Sequence, residues 1–212
     1  MDARLNPVVH RLRVDTWAAD AVTALRARGI NAVLLKGPVI ARWLYADDPS
    51  ERRYQDVDLL VSPADQAATR EVLVELGYEL QGGIMPELDE PHARVFERHT
   101  DGAEVDLHRV LHGMEGVPTE RVWRTVMMHT ETLRVGNVEV ATPDEPLRAL
   151  HLVLHTSFRD GPGTRAWADL QRGLEMIELA TWEQAVALAR SLGVTSELGH
   201  RLALVPEAAE LV

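Results

Sequence analysis

The chain has 212 residues, no cysteine and a formal net charge of -11, with 46% hydrophobic and 26% charged residues. That length buries a full core, as one large domain or two small ones, and the missing cysteine excludes a disulfide framework, a thiolate metal site and a cysteine nucleophile. The acidic balance disfavours nucleic acid as the main partner, because a duplex-binding surface is usually basic, and favours a small molecule or another protein.

In chain order, Leu12, Trp17, Ala18, Val22 and Leu25 recur at helical spacing across 8–28, and Gly29 ends that helix. The apolar run 30–35 reads as a buried strand that breaks at Lys36-Gly37-Pro38. Proline suits the first position of a helix, so 39–45 is expected to be helical, with Lys36 and Gly37 at a strand-to-helix junction. Free backbone N–H groups and the positive end of a helix dipole make such a junction a good place for a phosphate. After a turn-rich linker comes Arg52-Arg53-Tyr54-Gln55-Asp56-Val57-Asp58-Leu59-Leu60-Val61. Strand alternation puts Asp56 and Asp58 on one face and Val57 and Leu59 on the other. Two neighbouring carboxylates repel unless a cation or an arginine joins them, and a divalent metal site at the strand end is one solution.

Ser62-Pro63-Ala64-Asp65 has the form of a capping box and opens a helix to Leu76. A proline-containing acidic loop over 81–91 is expected to be mobile and to border a substrate entrance. Asp101-Gly102 marks a hairpin between 92–99 and 103–110, and its second arm carries Glu104, Asp106 and His108 on one face. A short helix after Pro118 and a second hairpin around Gly136-Asn137 follow. Thr142-Pro143-Asp144-Glu145 reads as another capping box, after which the period is helical to the end. The helices are expected to be one around Leu147 to Leu154, one over 165–179, one capped by Thr181 and closed by Gly193, and a last piece around 198–204. A flexible break at Asp160-Gly161-Pro162-Gly163 separates the first two, and a domain boundary falls near 142.

The succession of strand, Lys-Gly turn, helix, Asp-x-Asp strand, helix, hairpin with a further carboxylate and helical bundle resembles the nucleotidyltransferase superfold. More narrowly, Leu34-Leu35-Lys36-Gly37, Leu44-Tyr45, Arg52, Asp56-Val57-Asp58-Leu59-Leu60-Val61 and Val105-Asp106-Leu107-His108 are similar to the uncharacterised bacterial nucleotidyltransferase family. Weaker likeness continues through Leu150-His151-Leu152-Val153-Leu154-His155 and Trp167-Ala168-Asp169-Leu170. The resemblance implies an α+β fold, with a mixed sheet flanked by helices in a nucleotidyltransferase-like domain over 1–141 and a C-terminal helical bundle over 142–212. It implies a magnesium-dependent enzyme that moves a nucleoside monophosphate from a nucleoside triphosphate such as ATP to a hydroxyl of a small molecule or protein.

The resemblance makes Asp56, Asp58 and Asp106 the catalytic and metal-binding residues, with two Mg2+ ions, or Mn2+ in their place, about 3.5 to 4 Å apart. Lys36, Gly37 and Arg52 would bind the nucleotide. Two departures stand out: the superfold usually has Gly-Ser or Gly-Gly where this chain has Gly37-Pro38, and the helical region is shorter than in many family members. A nucleotide- or partner-binding module without turnover and a transferase acting on RNA ends are the alternatives. His151, His155 and Asp169 read better as a tie between two helices than as a transition-metal site. The five tryptophans read as core rather than as base-stacking platforms. With no signal-like N-terminus and no spanning run, a cytoplasmic location and no membrane partner are expected.

Overall fold

The computed structural model describes residues 7–82, 92–156 and 163–205. The expected mobile loop at 81–91 lies almost wholly outside these residues, as do 160–162 of the expected break and the acidic tail after Val205. The chain divides into two compact units, Met1–Arg109 with Glu131–Thr142, and Val110–Thr130 with Pro143–Val212.

In the first unit, helix α1 (Pro7–Ala27) leads to strand β1 (Ala32–Leu34), and helix α2 (Pro38–Trp43) precedes β2 (Val57–Val61). A single 3-10 turn (Pro63–Asp65) then opens α3 (Gln66–Glu75). Ser62 caps this turn: its hydroxyl accepts from the Asp65 N–H at 3.1 Å and donates to the Asp65 carboxylate at 2.6 Å. Strands β3 (Glu79–Leu80), β4 (Ala93–Arg98), β5 (Ala103–His108), β6 (Thr130–Val135) and β7 (Val138–Pro143) complete a mixed seven-stranded sheet of order β3-β4-β5-β2-β1-β7-β6. β2 lies at its centre, antiparallel to β1 and parallel to β5.

Alternation along β2 and β5 sorts their residues. Val57, Leu59, Val61, Val105 and Leu107 join one buried cluster with Trp17, Val22 and Leu25 of α1 and Val72 and Leu73 of α3. The β4–β5 hairpin is tied to α1 through its turn. The Asp101 carboxylate accepts two hydrogen bonds from Arg98 and one from the Trp17 indole at 3.0 Å. These bonds, those from Arg98 foremost, hold the Asp101 carboxyl below its ordinary range.

The second unit holds α4 (Thr119–Met128), α5 (Glu145–His155), α6 (Arg165–Met176), α7 (Leu179–Leu192) and α8 (Thr195–Leu202). α5 packs on α6, α7 and α8 and is buried from Leu147 to Leu154. Two local expectations change. β7 continues through Pro143, and the cap of α5 is Asp144, which accepts from the Leu147 N–H at 3.1 Å. The Thr142 hydroxyl instead donates to the Leu34 carbonyl at 3.0 Å, because β7 pairs with β1 there. Likewise α6 stops at Met176 and α7 has already begun at Leu179, so Thr181 sits inside its first turn rather than capping it. Gly193 closes α7 in the left-handed conformation, φ 78°, as its type predicts. Trp17, Trp167 and Trp182 are buried, while Trp43 and Trp123 are half-buried. No helix among the described residues is long and apolar enough to cross a membrane.

Candidate active site

β2 and β5 run parallel with Asp58 opposite Asp106 and Leu60 opposite His108. The face turned away from the apolar cluster therefore carries two carboxylates on neighbouring strands. Asp58 is 2% exposed, Asp106 is half-buried, and Asp56 is half-buried at the position before β2. Lys36 reaches this face from the end of β1: its Nζ lies 2.6 Å from Asp58 Oδ1. His108, 1% exposed, places Nε2 2.9 Å from the same oxygen.

The charges of this cluster respond to one another. Burial alone would raise the Asp58 pKa, but Lys36 and His108 outweigh it and hold this carboxylate well below its usual range. Burial would likewise lower that of Lys36, and the attraction of Asp58, helped by Asp56 and Asp106, raises it instead. Asp106 takes the opposite course. Burial first, then the negative charges of Asp58 and Asp56, push its carboxyl up to about 7. Glu104 on the same strand face is also raised, by burial and then by Asp56 and Glu97.

Gly37 sits at φ 47°, a conformation that favours glycine, with an absent Cβ that would meet the Tyr54 ring at 3.4 to 3.5 Å. The Tyr54 hydroxyl donates to Asp15 Oδ1 at 2.6 Å, and Arg42 pairs with Asp15 Oδ2 at 2.6 Å. A buried carboxylate on α1 thus ties α2 and the approach to β2 around the Lys36-Gly37 turn. Burial, followed by Asp15, raises the Tyr54 pKa, so the phenol stays protonated. Arg52 is buried and donates to the Arg53 carbonyl at 2.6 Å.

Of the residues expected at the site, the structure brings Lys36, Asp58 and Asp106 together, with Asp56 close enough to shift the first and last of them. Gly37 forms the adjoining turn. Sequence reasoning left His108 unassigned, although alternation had placed it on the face of Asp106. It also left Asp15 unassigned, for which the signal was a carboxylate one turn before Ala18 and Ala19, both buried on α1.

The donor set fits a divalent cation. One ligand atom from each of Asp58, Asp106 and His108 can be chosen so that all lie within 4.8 Å of one another. Asp106 Oδ1 is buried without a hydrogen-bond partner among the described residues, a state that a bound ion would relieve. His151 and Asp169 are buried on α5 and α6, and the His151 and His155 rings lie 5.8 Å apart. A groove of about 420 Å³ between α7 and α8, lined by Leu179, Trp182 and Leu198 among others, includes none of the residues expected at the site.

A model of the family described as uncharacterised nucleotidyltransferase matches residues 8–209. No curated protein matches the chain. Solved structures resemble it as well, two of them as follows. The solution structure of the antibiotic-resistance factor ANT(2'')-Ia is 14% identical, with a TM-score of 0.57 over 88% of this chain and 96% of its own. An antigenic nucleotidyltransferase-like protein from Paracoccidioides brasiliensis is 15% identical, with a TM-score of 0.50 over 88% of this chain and 92% of its own. Identities this low establish a common fold and nothing finer.

Proposed function

We propose, from the premise that the chain belongs to the uncharacterised nucleotidyltransferase family matched over residues 8–209, that it transfers a nucleoside monophosphate from a nucleoside triphosphate to a hydroxyl of a small molecule or protein. The acceptor oxygen attacks the α-phosphorus, the bond from that phosphorus to the bridging oxygen breaks, and pyrophosphate leaves. Asp58 and Asp106, with Asp56 beside them, hold the divalent cation. When bound, the cation neutralises the triphosphate and lowers the pKa of the acceptor hydroxyl. Asp106 takes the hydroxyl proton. Lys36 supplies a point charge to the phosphates, the backbone at Gly37 allows their close approach, and Arg52 steadies the nucleotide side of the site. We place the enzyme in the cytoplasm.

The observation that best supports this function is the register of β2 and β5. It sets Asp58 beside Asp106 within reach of a lysine that stands at a helix-opening turn. The test is pyrophosphate release from each of the four nucleoside triphosphates with a divalent cation, for the wild type and for Asp58→Asn and Asp106→Asn. We expect release in the wild type and background levels in folded variants. Full activity in both variants would overturn the assignment of these residues. Tight nucleotide binding with no release would mark a nucleotide-binding module instead.

A further inference from the structure

The carboxylate face of the sheet ends in a histidine to which the chemistry above assigns no role. His108 stands two residues beyond Asp106 on β5 and therefore on the same face, and it is 1% exposed. Its Nε2 approaches Asp58 Oδ1 at 2.9 Å, while its Nδ1 is buried without a hydrogen-bond partner among the described residues. Bound to an ion through Nε2, the ring carries its proton on Nδ1. What marks His108 as a candidate ligand is Nε2 beside Asp58, with one ligand atom each from Asp58, Asp106 and His108 within 4.8 Å of one another, and the Asp106 Oδ1 that has no hydrogen-bond partner among the described residues. Two ligands each about 2.1 Å from one ion and at right angles to each other stand about 3.0 Å apart, so the separation of Nε2 from Asp58 Oδ1 suits a shared ion as well as it suits a hydrogen bond.

We propose that His108 is a ligand of the cation site together with Asp58 and Asp106, and that the site therefore takes a divalent transition metal of the manganese, cobalt and zinc class in preference to magnesium. The proposal rests on nucleotidyl transfer for the presence of a cation and goes further by naming its class. Mg2+ is a hard ion that takes oxygen ligands, keeps much of its water and gains little from an imidazole. Mn2+ accepts carboxylate and imidazole together, and the later metals bind imidazole more strongly still. An ion on Asp58 Oδ1 also takes over the charge that the Lys36 ammonium supplies to that oxygen at 2.6 Å, which releases Lys36 for an anionic ligand.

The test uses the full chain with Mn2+ alone, followed by electron spin echo envelope modulation. The wild type is expected to show the nitrogen coupling of a directly bound imidazole, and His108→Asn to lose it. In parallel, Mg2+ and Mn2+ are titrated against the thermal unfolding midpoint. The preference for Mn2+ over Mg2+ is expected to fall by roughly tenfold or more in His108→Asn. Absent nitrogen coupling in the wild type, or an unchanged preference in the folded variant, overturns the proposal. Should the variant fail to fold, His108→Gln takes its place, with His112→Asn beside it because His92, His112 and Glu115 form another group that could hold an ion: coupling kept in His108→Gln and lost in His112→Asn refutes the ligand. A wild type that binds neither ion, with or without a nucleoside triphosphate, overturns nucleotidyl transfer itself. One that binds both ions without imidazole coupling overturns only the part given to His108.

Discussion

The two faces of β2 and β5 are built from alternate residues of the same strands, yet they solve opposite problems. On one, Val57, Leu59, Val61, Val105 and Leu107 lose their water against α1 and α3, and their apolar side chains gain from it. On the other, Asp58, Asp106 and His108 are desolvated beside one another with a single lysine paired to Asp58, and one Asp106 oxygen has no partner among the described residues. The apolar face makes the sheet stable. The polar face spends part of that stability to hold charge where a cation can use it, and the contrast shows which residues are kept for something other than the fold.

The sharpest way to break the comparison is to attack the stable face. Leu59→Ala, at a fully buried position, should lower stability by about 2–5 kcal/mol in a urea titration, with the site's charges untouched. A loss well below that range would mean that the apolar cluster can close over the gap. Next in size is Asp58→Asn, which strands the Lys36 ammonium against a neutral amide. We expect a cost of about 3 kcal/mol, at the low end for a broken buried pair because the lysine side chain keeps 18% exposure. Adding Lys36→Met should recover part of this cost, and a double variant no more stable than Asp58→Asn would show that the ion pair is not the source.

The smallest effect has the opposite sign. The Asp106 carboxyl, at about 7 in the folded metal-free protein, lies above the ~3.9 of an unfolded chain, so the native state binds more protons between these values. Stability therefore falls as pH rises from about 4 to 7 and changes little from this group above that. Asp106→Asn removes the fall. The variant should be more stable than the metal-free wild type at pH 8, by on the order of 2 kcal/mol, about half of the ~4 kcal/mol that the full shift carries because Asp106 is only half-buried, and about equal to it at pH 4. Equal pH profiles for the two proteins would contradict the raised pKa.

Local chemistry made much of the fold legible. The apolar spacing of α1, the proline that starts α2, Ser62 as a cap, Asp101-Gly102 as a hairpin turn and Gly193 as a helix stop are each carried by a few adjacent residues. Errors arose where two local signals competed. Thr142 and Asp144 are both capping residue types, and the choice between them was made by the pairing of β7 with β1, which extends the strand to Pro143 and gives the threonine hydroxyl to Leu34. Thr181 had the capping pattern too, but α7 gains a turn by starting at Leu179.

By itself, the sequence determined that Val57 and Leu59 face away from Asp58 and that Glu104, Asp106 and His108 share a face, because strand alternation depends only on neighbours. It also identified the chain's family through residues spread along most of its length. The tertiary structure alone decided that Asp58 stands beside Asp106, that Lys36 and His108 converge on one oxygen of Asp58, and that Asp15 ties Arg42 and Tyr54 around the Gly37 turn. Those facts depend on the register of strands and helices far apart in the chain. Register is set by how whole faces pack, and no short window of residues contains it.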